Sequence, residues 1–256
     1  GGSRDTRLYI WEKSGWTLKA SRGIGRWPIE SVWADSGYIY GASSDSFIYV
    51  WNRSDLSFRT KLAQPDQRPG PGGIMVAVTA DADRVYGGSG DFDDTLYAWK
   101  RSDFSVLTAF KAGADDINAL SSFGGLLHVA NADGTIRIYD AATLLPVRAL
   151  SQATGGMTSV APATDYLYAG NSNGSVYAWE RRGYSLLTRL RAGEEGVLWV
   201  WADDELILAA SQDGSVYVWQ APDLLKNLGY PGRPTPTPSG GRTRFAPTPS
   251  GRSGSL

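Results

Sequence analysis

Cysteine is absent and histidine occurs once, as His128, in 256 residues. Disulfides, thiolate metal sites and cysteine nucleophiles are thereby excluded. Any serine–histidine–acid triad would have to use His128. Charge of one sign is lacking too: 25 basic and 26 acidic side chains leave a net charge of −1. Residues 231–256 hold four Arg and no acid, so the remainder is mildly acidic. The basic excess of a nucleic-acid binder is missing, and no nucleic-acid partner is expected. No apolar run approaches the roughly 18 residues of a membrane span, and no secretory leader is evident, so no membrane partner is expected either. No glycine-rich phosphate loop leads into a helix, which removes the usual nucleotide cofactors. What the chain does have is aromatic side chains, 10 Trp and 13 Tyr, as a folded core requires.

The aromatics are periodic. Leu8-Tyr9-Ile10-Trp11 is echoed by Ile48–Trp51, Leu96–Trp99, Ile136–Tyr139, Val176–Trp179 and Val216–Trp219. The closing rings fall at 11, 51, 99, 139, 179 and 219, a repeat of 40 residues with one interval of 48. Internal repetition at this period marks an array of one supersecondary unit. Residues 157–190 show the unit: four short alternating apolar stretches, separated by Gly, Asn, Asp and Ser, read as four strands of an antiparallel meander. Asp133-Gly134, Asn173-Gly174 and Asp213-Gly214 supply the turn before the third strand. The 48-residue interval is explained by the Gln67–Gly73 insertion and a longer turn around Asp91-Phe92-Asp93-Asp94.

On these strands, turns and closing aromatics, residues 7–230 resemble the WD-repeat superfamily of β-propellers. The Trp-Asp dipeptide is missing, since Trp is followed by Glu12, Asn52, Lys100, Glu180 and Gln220. The Gly-His dipeptide is missing as well, so the family's Asp-His-Ser-Trp network cannot form and blades held by apolar packing alone are expected. The expected fold is all-β: a β-propeller of six repeat units with the first incomplete, five full blades plus a half blade. Residues 1–6 are expected to be a disordered leader, and 231–256, rich in Pro, Thr, Ser and Gly, a disordered tail. The fourth strand of the last blade is placed at Leu224–Tyr230. The incomplete blade leaves sheet edges, and self-association through it is expected.

No catalytic set emerges. His128 stands where other units have Tyr40, Tyr86, Tyr168 and Leu208, so it reads as a packing residue. Asp91, Asp93 and Asp94 read as a solvated acidic turn rather than a metal site. Asp115-Asp116, Glu194-Glu195 and Asp203-Asp204-Glu205 could serve a glycoside hydrolase or lyase, the alternative reading. The favoured one is a non-catalytic scaffold without cofactor or metal, binding a protein or peptide on one face, as a module or fragment of a larger multidomain protein. Most WD-repeat propellers bind partners, and the resemblance places the first strand on a central channel. The partner face is then expected at the loops leading into the first strands: Arg26, Trp27 and Glu30; Asp115, Asp116 and Asn118; Glu194, Glu195 and Trp199. Trp16, Trp27, Trp33, Trp199 and Trp201 lie outside the column of closing rings, and the Trp199/Trp201 pair is read either as packing or as a binding anchor.

Overall fold

A computed structural model describes residues 2–23, 27–65, 73–91, 93–221 and 241–243. Its first sheet has two strands, β1 (Arg7–Trp11) and β2 (Leu18–Gly23). Five four-stranded antiparallel sheets follow. They comprise β3 (Ile29–Ala34), β4 (Tyr38–Ser43), β5 (Phe47–Asn52) and β6 (Phe58–Ala63); then β7 (Met75–Ala80), β8 (Arg84–Ser89), β9 (Thr95–Lys100) and β10 (Val106–Lys111). Next come β11 (Ile117–Phe123), β12 (Leu126–Asn131), β13 (Ile136–Asp140) and β14 (Pro146–Leu150), and β15 (Met157–Pro162), β16 (Tyr166–Asn171), β17 (Ser175–Glu180) and β18 (Leu186–Arg191). The last sheet has β19 (Val197–Ala202), β20 (Leu206–Ser211), β21 (Val216–Gln220) and β22 (Gly241–Thr243). This is the β-propeller of five full blades and a half blade.

Alternation of side chains makes each sheet apolar on both sides, and each seam joins two consecutive sheets. Tyr40, Ile48 and Val50 of one sheet meet Met75, Val78, Val85 and Trp99 of the next. The same scheme recurs at every later seam. The half blade joins in through Leu8, packed with Ile29, Ile39 and Trp51. On the third strands Tyr and Trp stack, with ring centroids 5.7–6.1 Å apart in the five units that have both. The second strand must be small beneath them. A Cβ on Gly41 would lie 3.2 Å from the Trp51 ring, and one on Gly87 3.0 Å from Trp99.

Four sequence expectations are corrected. First, packing is not purely apolar. The Tyr49 hydroxyl donates to Asp45 at 2.7 Å, Tyr97 to Asp93 at 2.8 Å and Tyr217 to Asp213 at 2.9 Å, and Tyr9 donates to Asp5. In the other two units Arg137 pairs with Asp133 at 2.8 Å and the Asn173 amide donates to Tyr177 at 3.3 Å. Each bond pins the turn before the third strand to that strand. Second, residues 2–6 are no disordered leader. Gly2 bridges Leu8, Thr6 N–H donates to the Ser3 carbonyl at 3.2 Å, and Ile29 N–H to the same carbonyl at 3.1 Å. Ser3–Thr6 is thus the same turn as Ser43–Ser46, where Ser46 N–H donates to the Ser43 carbonyl at 3.1 Å. Third, Trp16 belongs to a repeat column after all. It shares a left-handed φ of 55–61° with Leu56, Phe104, Leu144 and Tyr184 in the turns between third and fourth strands. In the four complete units where it is described, this side chain reaches back to the preceding blade, as Phe104 does to Tyr38 with ring centroids 5.3 Å apart. Fourth, three residues of the 231–256 stretch form β22, which pairs with β21 as a fourth strand. Leu224–Tyr230 lies outside the described residues.

Candidate functional site

The first strands β3, β7, β11, β15 and β19 line one central channel of about 420 Å³. The loops leading into them share a face of the propeller with the pinned turns. These loops are hooked down by backbone bonds: Ala112 N–H donates to the Asp94 carbonyl at 3.1 Å, and Ala192 N–H to that of Gly174 at 2.8 Å. Gly193 has a φ of +94°, and a Cβ there would sit 2.9 Å from both the Asp213 carboxylate and the Tyr217 hydroxyl. Only glycine lets the loop carrying Glu194 and Glu195 rest on that pin.

Arg26 lies outside the described residues. Trp27, two residues before β3, is 56% exposed, and Trp199 on β19 is 53% exposed. Glu30, Asn118 and Trp199 come from three different units and are brought to the wall of the one channel. Glu30 accepts the Ser44 hydroxyl at 2.5 Å. Asn118 also has a structural duty, because its amide donates to the Met157 carbonyl of the next blade at 2.8 Å. Asp115 and Asp116 gather instead with Asp94, their carboxylate oxygens within 4.8 Å of one another. Sequence reasoning had grouped Asp94 with Asp91 and Asp93. Asp93 in fact turns inward: burial opposes its charge, but donors from Tyr97, Ser89 and Thr95 and the nearby Lys111 hold its carboxyl below the ordinary range. Glu194 is exposed and ion-paired with Arg191 at 2.7 Å, and Glu195 is exposed.

Trp33 and Trp201 share a column with different fates. Trp33 packs into the seam with the next blade. Trp201 occupies the same side of the last sheet, among the described residues no further sheet covers it, and it stands 40% exposed. His128 is fully buried, its Nδ1 lies 3.3 Å from the Ser121 carbonyl, and burial pushes its pKa down to about 4. A neutral imidazole in a core column suits packing.

The carboxylate pairs do not converge. Asp203 accepts the backbone N–H of Glu205 and Leu206 at 2.8 and 2.7 Å, and Asp204 accepts from the Thr164 hydroxyl at 2.9 Å, in turns at the other end of the strands. Among the described residues lining the channel, Glu30 is the single carboxylate.

Residues 185–220 match the family model for the WD domain, G-beta repeat. Two solved structures share the architecture. U3-55K aligns over 86% of this chain and 72% of its own, with 15% identity and a TM-score of 0.73. The computationally designed Ika8 protein aligns over 86% and 67%, with 17% identity and a TM-score of 0.69. At such identities the likeness concerns the fold.

Proposed function

We propose that this β-propeller, which matches the model for the WD domain, G-beta repeat, over residues 185–220, is a non-catalytic protein-interaction scaffold. It engages a protein or peptide at the face where the loops lead into the first strands. The observation that carries this reading is the exposed Trp27 in the loop leading into β3, on the face of the pinned turns, with Trp199 on the wall of the channel. Rigid aromatic anchors lose little entropy on binding and make effective hot spots. Asp115, Asp116, Glu195 and Glu30 add acidic character, which favours a basic or mixed-charge partner. A glycoside hydrolase or lyase draws no support from the channel, where one carboxylate cannot do the work of two.

The test is capture by the full chain beside a Trp27→Ala/Trp199→Ala variant, at two salt concentrations. A partner held by the native chain, weakened about tenfold or more by the variant and by added salt, supports the face. Equal capture by both chains removes it. Self-association through the incomplete blade would use the flank where Trp11 is exposed, and sedimentation showing monomer alone at high concentration excludes it.

A further inference from the structure

The seams between complete sheets can be compared position by position at the end of the strands opposite the partner face. Between the first and second complete sheets, Asp35, Tyr40, Arg101 and Phe104 form a closed cluster. Arg101 donates from Nε and Nη2 to the two Asp35 oxygens, both at 3.0 Å. The Tyr40 hydroxyl donates to the oxygen that Nε holds, at 3.2 Å. The guanidinium also lies over the Tyr38 ring, its Cζ 5.1 Å from the centroid. Its face thus goes to an aromatic ring and its edge to a carboxylate.

The strand register puts Phe123, His128, Arg181 and Tyr184 at the same four positions between the third and fourth complete sheets. Arg181 again offers its face to an aromatic ring, with Cζ 4.7 Å from the Phe123 centroid. Its Nη1 donates to the Ala163 and Thr164 carbonyls at 2.8 and 3.0 Å. The edge that holds the carboxylate in Arg101 holds nothing here. Nε is buried without a hydrogen-bond partner, and among the described residues Arg181 forms no ion pair. Two more buried polar atoms at this seam have no partner, His128 Nε2 and the Tyr184 hydroxyl. His128 stands where Tyr40 donates to Asp35, and its Nδ1 is occupied by the Ser121 carbonyl at 3.3 Å.

No other seam between complete sheets has this combination. Between the second and third the acid is kept as Asp81, which accepts from Tyr86 at 2.7 Å, and the arginine position is Ala141. Between the fourth and fifth the acid and arginine positions are Ala163 and Ala221. Only the third–fourth seam keeps the arginine and lacks the acid. Buried polar groups without partners are costly and rare, so three at one seam mark the place of an absent group.

We propose that this seam is a binding site for a carboxylate brought by another molecule. The carboxylate takes the position that Asp35 fills between the first and second complete sheets, with one oxygen on Arg181 Nε and the other on Nη2. Phe123 stays on the guanidinium face, which the carboxylate does not contest. His128 takes up one proton from solvent at Nε2 and donates it as a hydrogen bond, as Tyr40 does to Asp35. A cleft of about 500 Å³ bounded by residues 164–166 and 180–182 opens onto Arg181 and is the way in. The site uses none of the residues of the partner face and does not rest on that reading.

The test uses the full chain with acetate as probe and chloride as the control for ionic strength. His128 is the single histidine, so the imidazole ¹⁵N resonances report on this seam alone. The expected result is a saturable shift of Nε2 into the protonated range with acetate and not with chloride. Phe123→Asp should abolish the response, because its own carboxylate then fills the site. Arg181→Lys, which keeps the charge and loses the bidentate edge, should weaken acetate binding at least about tenfold. An end-capped Gly-Glu-Gly peptide, with Gly-Gln-Gly beside it, separates the sources of the carboxylate. Binding tighter than acetate supports the site with an acidic side chain as its ligand, and binding no tighter supports it with a small free carboxylate. No saturable shift with either probe, or an equal shift in Phe123→Asp, overturns the proposal. If Phe123→Asp does not fold, unchanged acetate affinity in Arg181→Lys counts equally against it.

Discussion

The interior blades and the two flanks are built from the same columns of residues and end in different environments. Trp99 and Trp179 are almost fully buried, while Trp11, in the same column, is 46% exposed. Thr79 and Ala161 are buried, while Trp201, in their column, is not. The difference arises from the neighbour and not from the unit. Each sheet has two apolar sides and can cover only one side of the sheet beside it, so stability in such an array is mostly a sum over seams.

Truncating the column should test this most severely. Trp179→Ala is expected to cost about 3–5 kcal/mol, and Trp11→Ala under about 1 kcal/mol, in denaturant melts. Similar costs would mean that the flank is covered in solution. The next effect concerns His128, buried in an interior blade where the last blade has Leu208. Burial holds its folded pKa at about 4, below the ordinary imidazole value of 6.5. The unfolded chain therefore takes up the proton first, and stability is lost as pH falls from about 6.5 towards 4. The loss is of the order of 3 kcal/mol, and His128→Leu should flatten that limb of the pH–stability curve. Smaller again are the pins. Asp93→Ala should cost about 1–2 kcal/mol, because it removes the carboxylate that accepts from the hydroxyls of Tyr97 and Ser89. Asp5→Ala, on the exposed flank, should cost less than Asp93→Ala. The Asp93 carboxyl is held below its ordinary value of 3.8, so its contribution is present above that pH and fades below it. An acid melt of Asp93→Asn that retains the native slope below pH 4 would remove the pin from the account.

The blade rhythm was legible because a four-stranded meander forces its aromatics into register at every repeat. The pins were equally legible, as an Asp or Asn four residues before the third-strand Tyr in five units, but attention to the missing Trp-Asp dipeptide obscured them. Gly1-Gly2-Ser3 matches Gly87-Gly88-Ser89 and could have identified the first turn. The fate of Trp199 and Trp201 was not legible, because it depends on whether another sheet stands beside β19. The regrouping of Asp94 with Asp115 and Asp116 also crosses between blades, a contact that no single repeat encodes.

The bulky residues held at left-handed φ between third and fourth strands have a mechanical consequence. L-residues adopt that conformation at a cost, and in the four complete units where the residue is described each is offset by contact with the blade before it. Trp16 is 77% exposed, and among the described residues no blade stands beside it to make that contact. Under tension applied at the two ends, the half blade should therefore release first, and the remaining blades should pay out one after another. Each step would lengthen the tether by up to about 130–140 Å, the contour of a 40-residue repeat at roughly 3.3–3.6 Å per residue, so that the array would behave as a ratchet with one tooth already slipped.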